Sequence, residues 1–399
     1  MYSSTIRKKL VKGALAMLNK LLPLGTRDEF GQRAATKQQL ISVIQAHFKQ
    51  RGLAAIATPL LENQAVFAPY QIGNYQYYRL LDTEGQTLVL RPDMTLPIAR
   101  FLSATKVPLP QKFSYVGDIF RVSRRLSGSY NQMTQAGVEL IGYPSLKAEL
   151  ECLAIAKQLS AELIDDAVEI ELGDAQFAQQ VVASLTHDQA QQAAIKQALF
   201  NKQIPQYTAL IEAFEHEPLM AFLKKWPRLF GQPAVIFEQL RAAPLPASVQ
   251  PAIKRLQTVV AWMSQTMPNQ AVSVDLSSQA PQKYYTGLTF RGYSQAGAGY
   301  LFSGGRYDQL LANFQAKSEP AVGMGLDVDL LTALASSPEP LAPQQLIYFE
   351  PAQWPQAEAL LARTAQAQLS LAPNKQAARA EARQLGATLI DLTEGDENE

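Results

Sequence analysis

The sequence is short of the residues that build disulfide, zinc and P-loop sites. It has one cysteine, Cys152, so no internal disulfide framework can form and a reducing compartment is expected. Its three histidines, His47, His187 and His216, lie far apart and give no zinc-ligand spacing. No glycine-rich phosphate loop occurs; "GRYD" at Gly305–Asp308 lacks the Walker spacing. Charge of one sign is also missing. The 36 basic and 35 acidic residues give a net charge of +1, where a protein living on long nucleic acid usually carries a basic excess. The apolar run between Lys12 and Lys20 is too short to span a bilayer, and its lysine-rich flanks poorly fit a cleaved signal. These absences predict a cytoplasmic protein with no metal, no cofactor, no nucleic-acid partner and no membrane span.

What is present is a chain of 399 residues, 47% of them apolar, long enough for two or three domains and a sizeable core without cross-links. The basic residues Arg7, Lys8, Lys9, Lys12 and Lys20 all precede the first acid, Asp28. Residues 1–20 therefore read as a basic N-terminal helix or tail. Ile6, Leu10, Ala14 and Met17 fall on one stripe of such a helix, which could dock on a partner or a membrane surface, or simply fray.

Periodicity predicts a helix in "AATKQQLISVIQAHFKQRG", with Leu40, Val43, Ile44 and Phe48 on one face and Gly52 past its end. "LAAIATPLLE" reads as extended up to Glu62. Thr95 is placed to cap a helix carrying Leu96, Ile98, Phe101 and Leu102. "FSYVGDIFRV" and "MTQAGVELIG" read as a strand pair, and "KAELECLAIAKQLSAEL" as an amphipathic helix followed by the strand "AVEIELG". From about 176 to 268, Gln and Ala become frequent and strand signals vanish, which predicts a helical insertion. Strands return in "AVSVDLS", "YYTGLTFRGY" and "GYLFSGG"; "RYDQLLANF" reads as a helix with Leu310, Leu311 and Phe314 on its stripe. After the linker-like "SSPEPLAPQQ", residues 344–393 alternate strand and helix as a small α/β domain, with one helix from Trp354 to Gln368. An acidic tail, 394–399, follows. From Gln344 onward eight acids face four bases, the wrong sign for gripping RNA.

One constellation carries chemistry. Side chains alternate along a strand, so Gln135, Gly137 and Glu139 share a face, with Arg121 on the matching face of the partner strand. A guanidinium and a carboxylate on one sheet face suit a zwitterion, since arginine binds carboxylate bidentately and glutamate accepts from an ammonium. The same pair serves equally well as a structural ion pair on a half-exposed sheet.

The order of motifs resembles the class II core of histidyl-tRNA synthetase over roughly residues 20–335. "LRPDMTLPIAR" is similar to that family's "LRPEGT" segment, "YVGDIFR" to its motif 2 strand and "QAGVELIG" to its return strand. "YYTGLTF" resembles its histidine-binding tyrosine segment, and "SGGRYDQLL" with "PAVGMGL" the motif 3 region. The resemblance implies an α+β fold: a synthetase-like core at 21–335, with an antiparallel sheet flanked by helices, the helical insertion and the small C-terminal domain. It also implies histidine-binding positions at Asp93, Thr95, Arg121, Gln135, Glu139, Tyr284, Tyr285 and Tyr307, with Asp93 a shortened glutamate.

The departures bear on activity. The family's motif 2 loop reads approximately "FRxERPxxGRxREFHQ"; here it is "FRVSRRLSGSYNQMTQ". Ser123 replaces the glutamate, Ser129 an arginine, and Met133 the adenine-stacking phenylalanine. "APQKYY" stands for "RGLDYY", so Ala280 replaces an arginine, and Leu330 occupies the place of the motif 3 arginine. Adenylate formation builds negative charge at phosphorus, and each lost donor costs about 3 kcal/mol by analogy with oxyanion holes. A dismantled ATP half beside an intact amino-acid half resembles the regulatory subunits of ATP phosphoribosyltransferase. That likeness implies a noncatalytic protein of histidine biosynthesis that activates a short-form catalytic subunit, as a homodimer within a hetero-oligomer, with histidine as feedback effector. The alternative is a working histidyl-tRNA synthetase or another amino-acid-binding paralogue; the missing arginines argue against the former.

Overall fold

The computed structural model describes residues 21–68, 76–122, 130–297, 299–315, 317–335 and 343–394. The basic segment 1–20, the loop positions Ser123 and Ser129, and most of the acidic tail lie outside the described residues. Contacts divide the chain into a larger unit, within Met1–Glu29 and Thr36–Ser336, and a smaller one, within Phe30–Ala35 and Ser337–Glu399.

Helix α1 (Gly31–Gln50) precedes β1 (Ala54–Ala55), β2 (Leu61–Asn63), β3 (Arg79–Leu81) and β4 (Thr87–Leu90). Then come α2 (Thr95–Thr105), the hairpin strands β5 (Gln111–Phe120) and β6 (Gln132–Ile141), α3 (Lys147–Leu163) and β7 (Val168–Asp174). A helical stretch follows: α4 (Phe177–Ala183), α5 (Gln189–Phe200), α6 (Ile204–Ile211), α7 (Met220–Lys225), β8 (Phe230–Gly231), α8 (Pro233–Ala242) and α9 (Gln250–Thr266). The larger unit closes with β9 (Ala271–Asp275), β10 (Leu288–Ser294), β11 (Tyr300–Arg306), β12 (Ala321–Asp327) and α10 (Val328–Leu334).

Nine strands form one sheet in the order β1-β5-β6-β12-β11-β10-β7-β9-β8. Alternation along β6 divides its side chains between two cores. Ala136, Val138 and Leu140 face one, against Cys152, Leu153 and Ala156 of α3 and the stripe Leu40, Ile44 and Phe48 of α1. Ile141 faces the other, which gathers Met94, Leu96, Ile98, Tyr115, Tyr284 and Tyr307. Burying each such leucine or isoleucine contributes about 1.5–3 kcal/mol, so the two apolar layers hold the strands in one register.

Several sequence expectations change. The sheet is mixed: β1 runs parallel to β5 and β7 to β9, while the central strands are antiparallel. Strand structure enters the helical stretch, because β8 adds a short edge to β9. The extended stretch after Gly52 is broken between β1 and β2, and β2 pairs with β4 in a separate three-stranded sheet. "RYDQLLANF" yields only a 3-10 turn at Leu311–Asn313, although Leu310 and Leu311 are buried as expected. Thr95 is the first residue of α2 rather than its cap. Asp93 supplies the capping oxygen, its Oδ1 accepting from the Leu96 N–H at 2.9 Å, which frees the Thr95 hydroxyl for another partner.

In the smaller unit β13 (Gln345–Tyr348), α11 (Trp354–Arg363), β14 (Ala367–Leu369), α12 (Lys375–Leu385) and β15 (Thr388–Asp391) alternate as the sequence pattern requires. The strands are parallel in the order β14-β13-β15. Helix α11 ends at Arg363 rather than Gln368, because Ala367–Leu369 is drawn into the sheet. Asn374 caps α12 by accepting from the Ala377 N–H, and Gly386 ends it in the left-handed region at φ 67°. Among the described residues no helix is long and apolar enough to cross a membrane.

Candidate functional site

Register places the site on the sheet. Gln135, Gly137 and Glu139 of β6 stand opposite Asp327, Gly325 and Gly323 of β12, three cross-strand pairs on one face. The next strands continue the rows: Tyr115 of β5 flanks Gly137, and Ser303 and Arg291 extend the row beyond Gly325. Glycine is required here for closeness. A Cβ at Gly323 would lie 1.9 Å from the Glu139 Oε2, and one at Gly137 would lie 2.3 Å from the Tyr115 hydroxyl. The glycine floor lets the polar side chains lie down across the strands.

Glu139 is the deepest of them, only 1% exposed. Its Oε1 accepts from the Thr95 hydroxyl at 2.6 Å, and its Oε2 accepts from the Tyr307 hydroxyl. Burial outweighs these two donors and pushes its pKa up to about 8, with the neighbouring Asp93 acting in the same direction. Asp93, also raised by burial, receives the Tyr284 hydroxyl at 3.3 Å on Oδ2. Tyr284 packs edge-on against both Tyr285 (5.2 Å between centroids) and Tyr307 (5.8 Å). Burial raises all three phenols well above their ordinary range, so they are hydrogen-bond donors at any physiological pH.

Beside this cluster opens a cavity of about 290 Å³. Arg121 and Gln135 line it together with Thr134, Arg291, Tyr300 and Asp327. Arg121 is oriented by donating from Nε to the Pro92 carbonyl at 2.8 Å. Asp327 caps α10 through the Leu330 N–H at 2.9 Å; burial raises its pKa while Arg121 draws it down. The cavity wall thus offers a guanidinium, an amide and a carboxylate.

The eight sequence-derived positions consequently fall into three groups. Arg121 and Gln135 border the open cavity. Asp93, Thr95, Glu139, Tyr284 and Tyr307 form the buried hydrogen-bonded cluster. Tyr285, partly buried, lines a second cavity with Ala280 and Lys283. Of the positions where the synthetase pattern is lost, Met133 lines the first cavity, and Leu330 packs against the large apolar core. Asp327 and Arg291 went unnoticed in the sequence. The run "GMGLDV" holds the signal for Asp327, since period-two spacing puts Gly323, Gly325 and Asp327 on one face.

Comparison with known proteins bears on the fold and the family. A family model described as histidyl-tRNA synthetase matches residues 25–331. A solved ATP phosphoribosyltransferase regulatory subunit/histidyl-tRNA synthetase from Bacillus halodurans superposes with a TM-score of 0.74 at 24% identity, covering 95% of this chain and 94% of its own. Histidyl-tRNA synthetase from Nostoc gives 0.69 at 17% identity, covering 92% and 89%. The fold is that of the class II, histidyl-tRNA synthetase-like proteins. At the level of sequence, the ATP phosphoribosyltransferase regulatory subunit of Lactiplantibacillus plantarum is 74% identical over 96% of this chain and 100% of its own. That of Lacticaseibacillus casei is 45% identical over 94% and 98%, and that of Listeria monocytogenes 37% over 88% and 90%. The chain belongs to the family of ATP phosphoribosyltransferase regulatory subunits. Membership implies a noncatalytic role in histidine biosynthesis and a catalytic ATP phosphoribosyltransferase subunit as partner.

Proposed function

We propose that this chain activates a short-form catalytic ATP phosphoribosyltransferase, as a homodimer within a hetero-oligomer, and that histidine acts on it as a feedback effector. The observation that carries this reading is an asymmetry. Asp93, Thr95, Arg121, Gln135, Glu139, Tyr284, Tyr285 and Tyr307 gather about the two cavities and the apolar core between them, while Met133, Ala280 and Leu330 take positions where the resemblance expects phosphate and adenine contacts. In this reading Arg121 pairs with the histidine carboxylate, Glu139 takes its ammonium, and the tyrosines border the imidazole. The homodimer is supported by the apolar stretch around Leu60 and Leu61, which are 44% and 43% exposed beside a short sheet edge.

The test follows from the state of Glu139. Burial holds its proton up to about pH 8, so capturing an ammonium expels that proton near neutrality. Calorimetric titration of histidine into the complex at pH 7, in two buffers of different ionisation enthalpy, should show roughly one proton released per ligand. Glu139→Gln should remove the release and weaken binding by about 2–5 kcal/mol. Equal binding and equal proton release in the variant would place the effector site elsewhere.

A further inference from the structure

The second cavity, also about 290 Å³, lies between α4, α5 and the loop 276–285. Lys196, Lys283, Gln179, Ser278, Gln279 and Gln282 are among its lining residues. Asp174 is the one acid among the described lining residues, and it is already engaged. Its Oδ2 accepts from Arg255 at 3.0 Å, and its Oδ1 accepts from the Gln176 and Phe177 N–H groups at 3.0 and 3.1 Å. The two lysines therefore leave a local excess of positive charge.

Lys196 is held in place by a chain of neutral groups. Its Nζ donates to the Gln179 Oε1. The Gln179 amide donates in turn to the Gln192 Oε1 at 2.9 Å, and the buried Gln192 donates to the Thr186 carbonyl at 2.7 Å. This relay fixes which end of Gln179 faces the lysine. The ammonium has three protons, and among the described residues Gln179 is its one hydrogen-bond partner. Burial lowers the lysine's pKa, and no carboxylate opposes that shift. A half-buried ammonium with a neutral acceptor, facing a polar cavity, is stabilised by an anion entering that cavity.

We propose that this cavity is an oxyanion site, holding the carboxylate or phosphate of a small metabolite between Lys196 and Lys283. Gln279 and Gln282 supply further donors around the anion, whereas the Ser278 hydroxyl already donates to Asp275. The volume sits at the lower end of small-molecule sites, which suits a compact metabolite and not a dinucleotide. Gln282 lines both cavities, so an occupant here touches the wall shared with the first site.

Equilibrium dialysis of the full chain at low ionic strength against labelled phosphate, pyrophosphate and succinate tests the assignment. At least one probe should bind saturably at one per chain. Lys196→Met should weaken that binding by about tenfold or more. Lys196→Arg keeps the charge and should retain binding if the methionine variant folds poorly. The exposed Lys225→Met, on α7, controls for loss of overall charge and should bind as wild type. Binding of phosphate or pyrophosphate without succinate identifies a phosphorylated ligand, and the reverse a carboxylate. No saturable binding of any probe would overturn the proposal. So would equal affinity in wild type and Lys196→Met, or an equal loss in Lys225→Met.

Discussion

Glu139 ties the chemistry of the site to the stability of the fold. The folded protein holds its proton to about pH 8, whereas an unfolded chain releases it near 4.5. Stability from this group is therefore complete below about pH 4.5 and is lost as pH rises through about 8. Glu139→Gln abolishes the titration. Denaturant melts at about pH 5, 7 and 9 should show wild type losing on the order of 3–5 kcal/mol relative to the variant across that range. Parallel curves would mean that Glu139 is ionised throughout. Gly323 bears on the same carboxyl from the facing strand. Gly323→Ala drives a methyl group into the Glu139 Oε2 and should cost about 1–3 kcal/mol, because neither strand can withdraw from the sheet. A melting temperature equal to wild type would show that the carboxyl swings aside freely.

Among the elements, the staple between α3 and β11 supports the site from behind. Arg306 reaches the Glu149 carboxylate through Nε at 2.7 Å and Nη2 at 2.5 Å, and both side chains are almost fully buried. Its backbone neighbour is Tyr307, the donor to Glu139. Glu149→Ala leaves the buried guanidinium only the more exposed Asp308, at 3.1 Å, as counter-charge and should cost about 3–5 kcal/mol. Arg306→Met added to it should recover much of that loss. A double variant no more stable than the single one would mean that Asp308, at 3.1 Å, and the Tyr143 and Ser145 carbonyls, at 3.3 Å, are enough to hold the arginine. The hairpin strands, the α1 stripe and the C-terminal alternation were legible in the sequence, because periodicity reports burial directly. The face carrying Gln135 and Glu139 was legible for the same reason. What could not be read was partnership. Nothing in "LRPDMT" says that Asp93 takes the helix cap and so releases Thr95 to Glu139. Nor does "DVDLL" reveal that Asp327 lies in register with Gln135 across the sheet. Those contacts join segments roughly 40 to 190 residues apart, and only the folded sheet brings them together.

For the whole molecule, a synthetase-like fold carries family membership that makes the chain a partner to catalysis performed elsewhere. Leu330, at the place where the synthetase resemblance expects an arginine, packs against the large core instead. The isolated chain should accordingly give no histidine-dependent exchange of pyrophosphate into ATP above a no-protein control. The most direct measurement is reconstitution with the short-form catalytic subunit. Titrating this chain into that subunit should raise phosphoribosyl transfer from a low basal rate to saturation at a fixed ratio, and the two should elute together on a sizing column. Unchanged activity with separate elution at every ratio would contradict the account.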